Sequence, residues 1–339
     1  MNDSSPLIKA QLTFAEAIKQ IPTPGKETVA LENALHRICA CDILAAMDSP
    51  PYPRAIVEGF LVNIADTLKA SEKNPINFSI GPTVNPGDTT CPLPKVGSSV
   101  QTVTGAIVPQ GDYAIVRPWD ATIKADTFEI TRAFSPGFFI ESQACEHSQG
   151  EVLLKKGQRI SPENIGLLAS QGISEIEVCK KPEVSVFASG DEVIPHTQAF
   201  QAGKIYDCNS IMLSAEIQRI GGSPFTAGIQ GDNFDSFKSA LADACKRSQL
   251  ILIAGGTAIG GRDFISDMIR ELGELIIDGV QMKSGRPLIM GLIGNTPVVG
   301  VAGHPPEALR GFRLFAPIAM DILCGREVAL PQDPGQISL

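Results

Sequence analysis

From residue 182 to 326 the apolar positions alternate between two rhythms. One is a short, continuous apolar run: EVSVFAS, QLILIAGG, ELIIDGVQM, PLIMGLI and PVVGVAG. The other has helical spacing: SIMLSAEIQRI, NFDSFKSALADACKR, FISDMIREL and EALRGFRLFAPIAMDIL. A shorter run, SPFTAGI, supplies one more strand. A strand that is apolar at every position is buried on both faces. Strands of this kind alternating with helices predict a mostly parallel open sheet covered by helices. Ligands of such sheets bind in the loops beyond the carboxyl ends of the strands.

The first half has a different texture. TFAEAIKQI reads as a helix, with Thr13 as N-cap and Glu16 three residues on. A second helix is expected over Leu31 to Cys39. SPPYPRAI, at 49–56, marks a boundary through its three prolines. From Val57 to Phe139 come short alternating runs, GFLVNI, INFSI, SVQTVTGAIV, YAIVRPW and TFEITRAF. Turn clusters NPGD and PQGD separate them, which predicts a small all-β module. In ISPENIGLLASQG, Ser161 caps a helix, Pro162 opens it and Gly172 stops it. The strand SEIEV follows. The fold class is therefore α/β and multidomain. A helical and mixed linker domain comprises 6–49 with 147–181, a small β domain spans 50–146 and the α/β domain spans 182–326. An extended tail occupies 327–339.

Charge narrows the function classes. Lys plus Arg is 28 against Asp plus Glu at 37, a net charge of -9. A general nucleic-acid binder shows the opposite balance, so that class is excluded. No run of about 18 uncharged apolar residues occurs, so no membrane span is expected. The start MNDSSPLIKAQ lacks a basic segment followed by an apolar one, so no signal peptide is expected. Both point to the cytoplasm. The eight cysteines are scattered and form no CxxC, as expected of reduced thiols in a reducing compartment.

Four loops carry the candidate chemistry. AGGTAIGGRDF places Gly255, Gly256, Gly260 and Gly261 between a strand and a helix. It can be an anion cradle of exposed backbone N–H groups, or a glycine turn needed for close packing. It is neither GxGxxG nor a Walker loop. After EVSVFAS, Ser189 and Gly190 lead into Asp191 and Glu192. Adjacent carboxylates on extended chain diverge, so one caps the next segment while the other faces a site. MKSGRP offers Lys283 and Arg286. GVAGHPPEA turns through Gly303, His304 and Pro305 into a helix; His304 reads first as a turn residue, second as a metal ligand or acid/base group. All four loops follow strands of one sheet. Together they suit a phosphorylated ligand with a metal.

In this order, the loops resemble the molybdopterin molybdenumtransferase family. VTGAIVPQGDYAIV is similar to the family's T-G-A-x-V-P-x-G-x-D-x-V-V, and ASGDEV to S-T-G-D-E-L. IYDCNS is similar to I-x-D-S-N, and AGGTAIGGRDF to S-G-G-V-S-V-G-x-x-D. MKSGRP and VAGHPPEA resemble K-P-G-K-P and L-P-G-N-P-x-S-A. The resemblance runs to about Gly325. It implies insertion of molybdate into adenylylated molybdopterin with release of AMP, using Mg2+ or another divalent cation. It also implies a homodimer, with the linker domain contributing to dimerisation, and tungstate as the alternative to molybdate. By position, the catalytic set is Glu58, Glu192, Asp232 and Asp263. The metal set is Glu146, Glu192, Asp232 and Asp263. Ligand binding falls to Thr104, Ser189, Gly190, Gly255, Gly256, Gly260, Lys283, Arg286, His304 and Pro305.

The departures from the pattern are polar. Glu58 stands for the family's aspartate, behind Arg54, Ala55, Ile56 and Val57. Glu141 stands for an arginine, and Ala144-Cys145-Glu146 for G-E-D. Ala254 and Ala258 stand for hydroxyl residues, Gly279 for a lysine, Ala302 for a proline and His304 for an asparagine. The chain ends where the family's C-terminal β-barrel domain is expected. The alternative reading is accordingly a non-catalytic molybdopterin-binding carrier, chaperone or scaffold that retains the fold.

Overall fold

The structure is a computed structural model that describes residues 6–256, 264–280 and 288–328. The chain folds into two compact units, one of residues up to 42, 155–165 and 174 onward, the other of 43–154 and 166–173. The division falls inside the helix Pro162–Ser170.

The larger unit is built on a six-stranded sheet. Its strands, from one edge to the other, are Ser223–Gln230, Glu183–Ser189, Leu250–Ala254, Thr296–Val301, Ile289–Ile293 and Glu274–Asp278. The first four are mutually parallel. Ile289–Ile293 runs antiparallel to both its neighbours, so five of the six strands point one way. The two-residue period of each strand sends its side chains to two separate cores. Val184, Val186, Leu250, Leu252, Val299 and Val301 pack against the helices Pro6–Ile18, Asn209–Arg219 and Pro305–Leu323. Phe187, Ile251, Ile253, Ile289 and Val298 pack against the helices Phe234–Cys245 and Phe264–Leu272. The one polar side chain inside these runs, Ser185, is fully buried and shares a 2.7 Å hydrogen bond with Ser248. That contact removes the cost of an unpaired buried hydroxyl.

The long helix Pro305–Leu323 lies close to the sheet. A Cβ on Gly311 would stand 2.5 Å from Leu288 Cδ2 and 3.0 Å from Val301 Cγ1, so no larger residue fits there. Phe14 meets Phe315 edge to face at 6.0 Å between ring centres, which joins the first helix to the last.

Two sequence expectations change. The first helix starts at Pro6, about two turns before Thr13, and Thr13 Oγ1 donates to Lys9 O at 2.9 Å from inside it. Its buried stripe is Leu7, Gln11, Phe14 and Ile18. Gln11 looks polar but belongs to that stripe, because its amide donates to Leu314 O at 2.9 Å. The second helix, expected over Leu31 to Cys39, is a single turn, Leu31–Asn33. Beyond it the backbone bonds elsewhere: His36 N–H to Ile160 O, Cys39 N–H to Gln158 O, and Cys179 N–H to Ile38 O. Long-range pairing satisfies these groups in place of helical bonds. The Ser161 cap is present: Asn164 N–H donates to Ser161 Oγ at 3.3 Å, and Ser161 N–H to Asn164 Oδ1 at 3.1 Å.

The smaller unit is rich in β-structure. One sheet orders Thr83–Val84, Val100–Thr102, Gly59–Asn63 and Tyr113–Val116; another orders Ile76–Ser79, Thr127–Ile130 and Thr122–Lys124. Phe128 stacks on Phe60 at 4.3 Å and on Phe78 at 5.3 Å. Asp120 accepts from Arg117 at 2.6 Å and pairs with Arg132 at 3.4 Å. The Arg117 guanidinium holds the Asp120 carboxyl below the usual carboxylate range; burial opposes this and Arg132 adds to it.

Two predictions follow from packing and charge. Phe315 is fully buried against the sheet and Phe14. Phe315→Ala is expected to cost about 3–5 kcal/mol in denaturant unfolding. Because the folded pKa of Asp120 is depressed, its stabilisation is present above the unfolded value of about 3.9 and is lost as pH falls through the folded value. Asp120→Asn is expected to lose about 1 kcal/mol at pH 7. That gap should narrow steadily in unfolding curves as pH falls below about 3.9.

Candidate functional site

The carboxyl edge of the parallel strands brings several loops together. Ser189 ends its strand and Gly190 follows with φ +137°. A Cβ on Gly190 would stand 2.5 Å from Glu192 Oε2, so the glycine leaves room for the Glu192 carboxylate to fold over it. The neighbouring Asp191 turns the other way: its Oδ1 accepts the Asp232 N–H at 3.1 Å. The two adjacent carboxylates thus diverge, and Asp191 caps a loop 41 residues away instead of the next segment. Gly231 is needed for this contact, since its Cβ would lie 2.6 Å from Asp191 Oδ1. Asp232 is raised above the usual carboxylate range, first by burial and then by the charges of Asp191 and Glu192. Two loops therefore concentrate three negative charges.

The neighbouring loops are tied by backbone. Gly255 N–H donates to Val301 O at 3.1 Å. Gly255 and Gly256 have φ +93° and +73°, and their Cβ atoms would meet Ser189 O at 2.7 Å and Ser189 Oγ at 2.8 Å. A Cβ on Gly303 would come within 3.4 Å of Gly255 Cα. The glycines are therefore required by packing against Ser189 and each other. Asn209 Nδ2 donates to Gly303 O at 2.7 Å, and Asp207 Oδ1 accepts the Ser210 N–H at 2.9 Å. Asp207 and Asn209 belong to IYDCNS; they were not among the expected site residues, although the motif itself was the signal. His304 is the N-cap of the last helix by its backbone alone: its carbonyl accepts from Glu307 and Ala308, and its side chain makes no capping bond. Pro305 opens that helix, and the His304 side chain is exposed at the edge.

Among the expected residues, the structure brings together Ser189, Gly190, Glu192, Asp232, Gly255 and Gly256, with His304 and Pro305 following Gly303. Gly260, Asp263, Lys283 and Arg286 lie outside the described residues. The strand Glu274–Asp278 ends at this same edge. Glu58, Thr104 and Glu146 lie in the β-rich unit. Glu58 and Thr104 are exposed and flank the paired strands Gly59–Asn63 and Val100–Thr102. Gly105 N–H donates to Ala55 O at 2.7 Å, which fixes the Thr104 loop beside the Arg54–Ala55 strand. Arg54 forms an ion pair with Glu141 and stands 3.6 Å from Glu146. Glu146 also accepts from Ser49 Oγ at 2.6 Å. Arg54 therefore supplies a positive charge beside Glu141, the position where the family pattern has a cation. Among the described residues, no group of three or more His, Cys, Asp or Glu side chains is gathered to hold a metal ion. None of the described helices is long and apolar enough to cross a membrane.

Such an edge, with glycine-lined loops beside clustered carboxylates at the carboxyl ends of parallel strands, is the place where α/β proteins of this class bind ligands. The likeness to known proteins is narrower. The MoeA N-terminal region (domain I and II) matches residues 10–172, and the probable molybdopterin binding domain matches 185–321. The chain is 31% identical to molybdopterin molybdenumtransferase of Staphylococcus aureus (strain MSSA476), over 90% of this chain and 73% of that protein. It is 30% identical to the enzyme of the same name from Bacillus subtilis (strain 168), over 85% of this chain and 68% of that one. A crystal structure of the molybdopterin biosynthesis MoeA protein from Pyrococcus horikosii superposes with a TM-score of 0.79 at 31% identity. That match covers 95% of this chain and 80% of the other. The chain belongs to the MoeA family of molybdopterin molybdenumtransferases.

Gly255→Ala tests the cradle. The substitution puts a Cβ at positive φ and against Ser189 O. It is expected to cost about 1–3 kcal/mol by denaturant unfolding. Gly294→Ala, at φ +58° with open space around it, is expected to cost less.

Proposed function

We infer that this protein inserts molybdate into adenylylated molybdopterin and releases AMP. The observation that carries the reading is the carboxyl edge, where the cradle of Ser189, Gly255, Gly256 and Gly303 adjoins Asp191, Glu192 and Asp232. The relatives' printed name, molybdopterin molybdenumtransferase, supports the same reaction.

In this reading the cradle receives the phosphate of the substrate through backbone N–H groups. Lys283 and Arg286 neutralise phosphate and molybdate oxygens. Water attacks the phosphoanhydride phosphorus, the bond to the AMP oxygen breaks, and the water proton passes to a carboxylate. Asp232 is the base for that proton, since its burial and its two anionic neighbours favour the protonated form. Glu192 orients the water. Molybdate then binds the two dithiolene thiols, and one of its oxo groups leaves as water with the two thiol protons. Mg2+, or another divalent cation, supplies charge neutralisation when bound; Glu192 and Asp232 are the described residues available to it, with Asp263 and Glu146 as further carboxylates by resemblance. The described set does not by itself make a cage, and no step above runs through the ion. By resemblance, Glu58 is a catalytic residue, and Thr104, Gly190, Gly260, His304 and Pro305 are ligand-binding residues. The working form is a cytoplasmic homodimer, with 6–49 and 147–181 as the dimerisation and linker domain.

One observation favours the alternative of a non-catalytic carrier or scaffold: Arg54 and Ser49 already engage Glu146. The two readings part in a single assay. With adenylylated molybdopterin and Mg2+, the enzyme releases AMP only when molybdate or tungstate is added, and the faster oxyanion is the substrate. Binding of molybdopterin without molybdate-dependent AMP release leaves the carrier. Asp232→Asn is expected to lower the rate about 100-fold or more with substrate affinity little changed.

A further inference from the structure

At the opposite, amino edge of the same sheet, a shallow cleft is lined by His36, Arg37, Arg159, Lys180, Lys181 and Asp321. Lys180 and Lys181 lead into the strand Glu183–Ser189, and Ile220–Gly221 lead into Ser223–Gln230, which fixes the cleft at the end remote from the carboxyl-edge loops. The chain carries a net charge of -9, so this gathering of cations runs against its composition. The carboxylates nearby are already engaged. Asp321 pairs with Arg326 at 2.6 Å and Glu27 pairs with Arg37. Arg159 reaches only backbone carbonyls, donating to His36 O at 3.1 Å and Ile220 O at 3.4 Å. Among the described residues, Arg159, Lys180 and Lys181 form no ion pair with a carboxylate. Burial, and then the charge of Arg326, pull the Arg159 guanidinium below its usual pKa, and Asp321 opposes them. That one carboxylate is shared with Arg326, so it balances only part of the positive charge of Arg159, Lys180 and Lys181.

We propose that this cleft binds a phosphate-class oxyanion, with Arg159 as the directional donor and Lys180 and Lys181 as the outer charges. Arg159 presents the planar fork that suits a tetrahedral oxyanion, while the two exposed lysines act as point charges at the rim. The shallowness of the cleft suits a group presented from solvent, either free or attached to a larger molecule. The site does not depend on the reaction assigned to the carboxyl edge.

The test is calorimetric titration of the full chain at low ionic strength with inorganic phosphate, pyrophosphate and AMP. The lysines are exposed, so Lys180→Ala/Lys181→Ala keeps the fold, and Arg159→Met is the second variant. Affinity for at least one of the three anions is expected to fall about tenfold in each variant. Preference for inorganic anion over AMP identifies a free-ion site, and the reverse identifies a phosphoryl group on a nucleotide. Binding of equal strength in wild type and the lysine double variant would overturn the proposal, as that binding would belong to the glycine cradle. Absence of binding in wild type, or heat matched by potassium chloride of equal ionic strength, would also overturn it.

Discussion

Burial of the parallel strands on both faces is the constraint from which the rest of the larger unit follows. Val184 to Ala188 and Leu250 to Ala254 are inaccessible along their whole length. Strands of that kind can place polar groups only at their ends. Chemistry is therefore confined to the loops beyond those ends, and the parallel direction gathers four of the loops at one edge. Helices on both faces close the sheet, with Gly311 allowing the longest of them to lie near it.

At that edge the glycines answer a packing demand. Gly255, Gly256 and Gly303 are small because Ser189 and the neighbouring backbone leave no space for a Cβ. Of the two readings of this loop, the glycine turn needed for close packing is the one the geometry shows. The carboxylates beside the cradle follow a similar economy: Asp191 holds the Gly231–Asp232 loop, and in doing so keeps its own charge near Asp232. The substituted polar positions in the β-rich unit are also accommodated in pairs. Arg54 and Glu141 lie opposite one another in register and form an ion pair, so the charge at one position answers the other.

Much of the fold was legible because periodicity reports burial directly. Among the described residues from 182 to 326, the strands and helices read from the apolar pattern are present, and Ser161 caps the helix where its hydroxyl and the following proline predict. The failures have one cause. The expected helix over Leu31 to Cys39 has an apolar spacing that suits a helix, yet its backbone groups pair with Gln158, Ile160 and Val178, which are more than a hundred residues away. Thr13 reads as a cap, but the buried stripe continues to Leu7 through Gln11, whose role depends on a carbonyl in the last helix. Of the site, the glycine loops and carboxylates were legible as motifs. The contact of Asn209 with Gly303 was not, because that partner is 94 residues away, whereas Asp207 bonds locally to Ser210.

The sequence by itself determined the α/β alternation, the position of the loops after strands and the family to which their order points. These follow from local spacing and residue type, which a linear chain carries in full. Only the tertiary structure decided which way Asp191 and Glu192 diverge, which carboxylates Arg54 engages and which glycines are needed for contact. It also decided that the unpaired cations Arg159, Lys180 and Lys181 meet at the far end of the sheet. Those outcomes depend on distances between segments remote in sequence. Such distances are set by how two buried faces pack, and no residue's own preference records them.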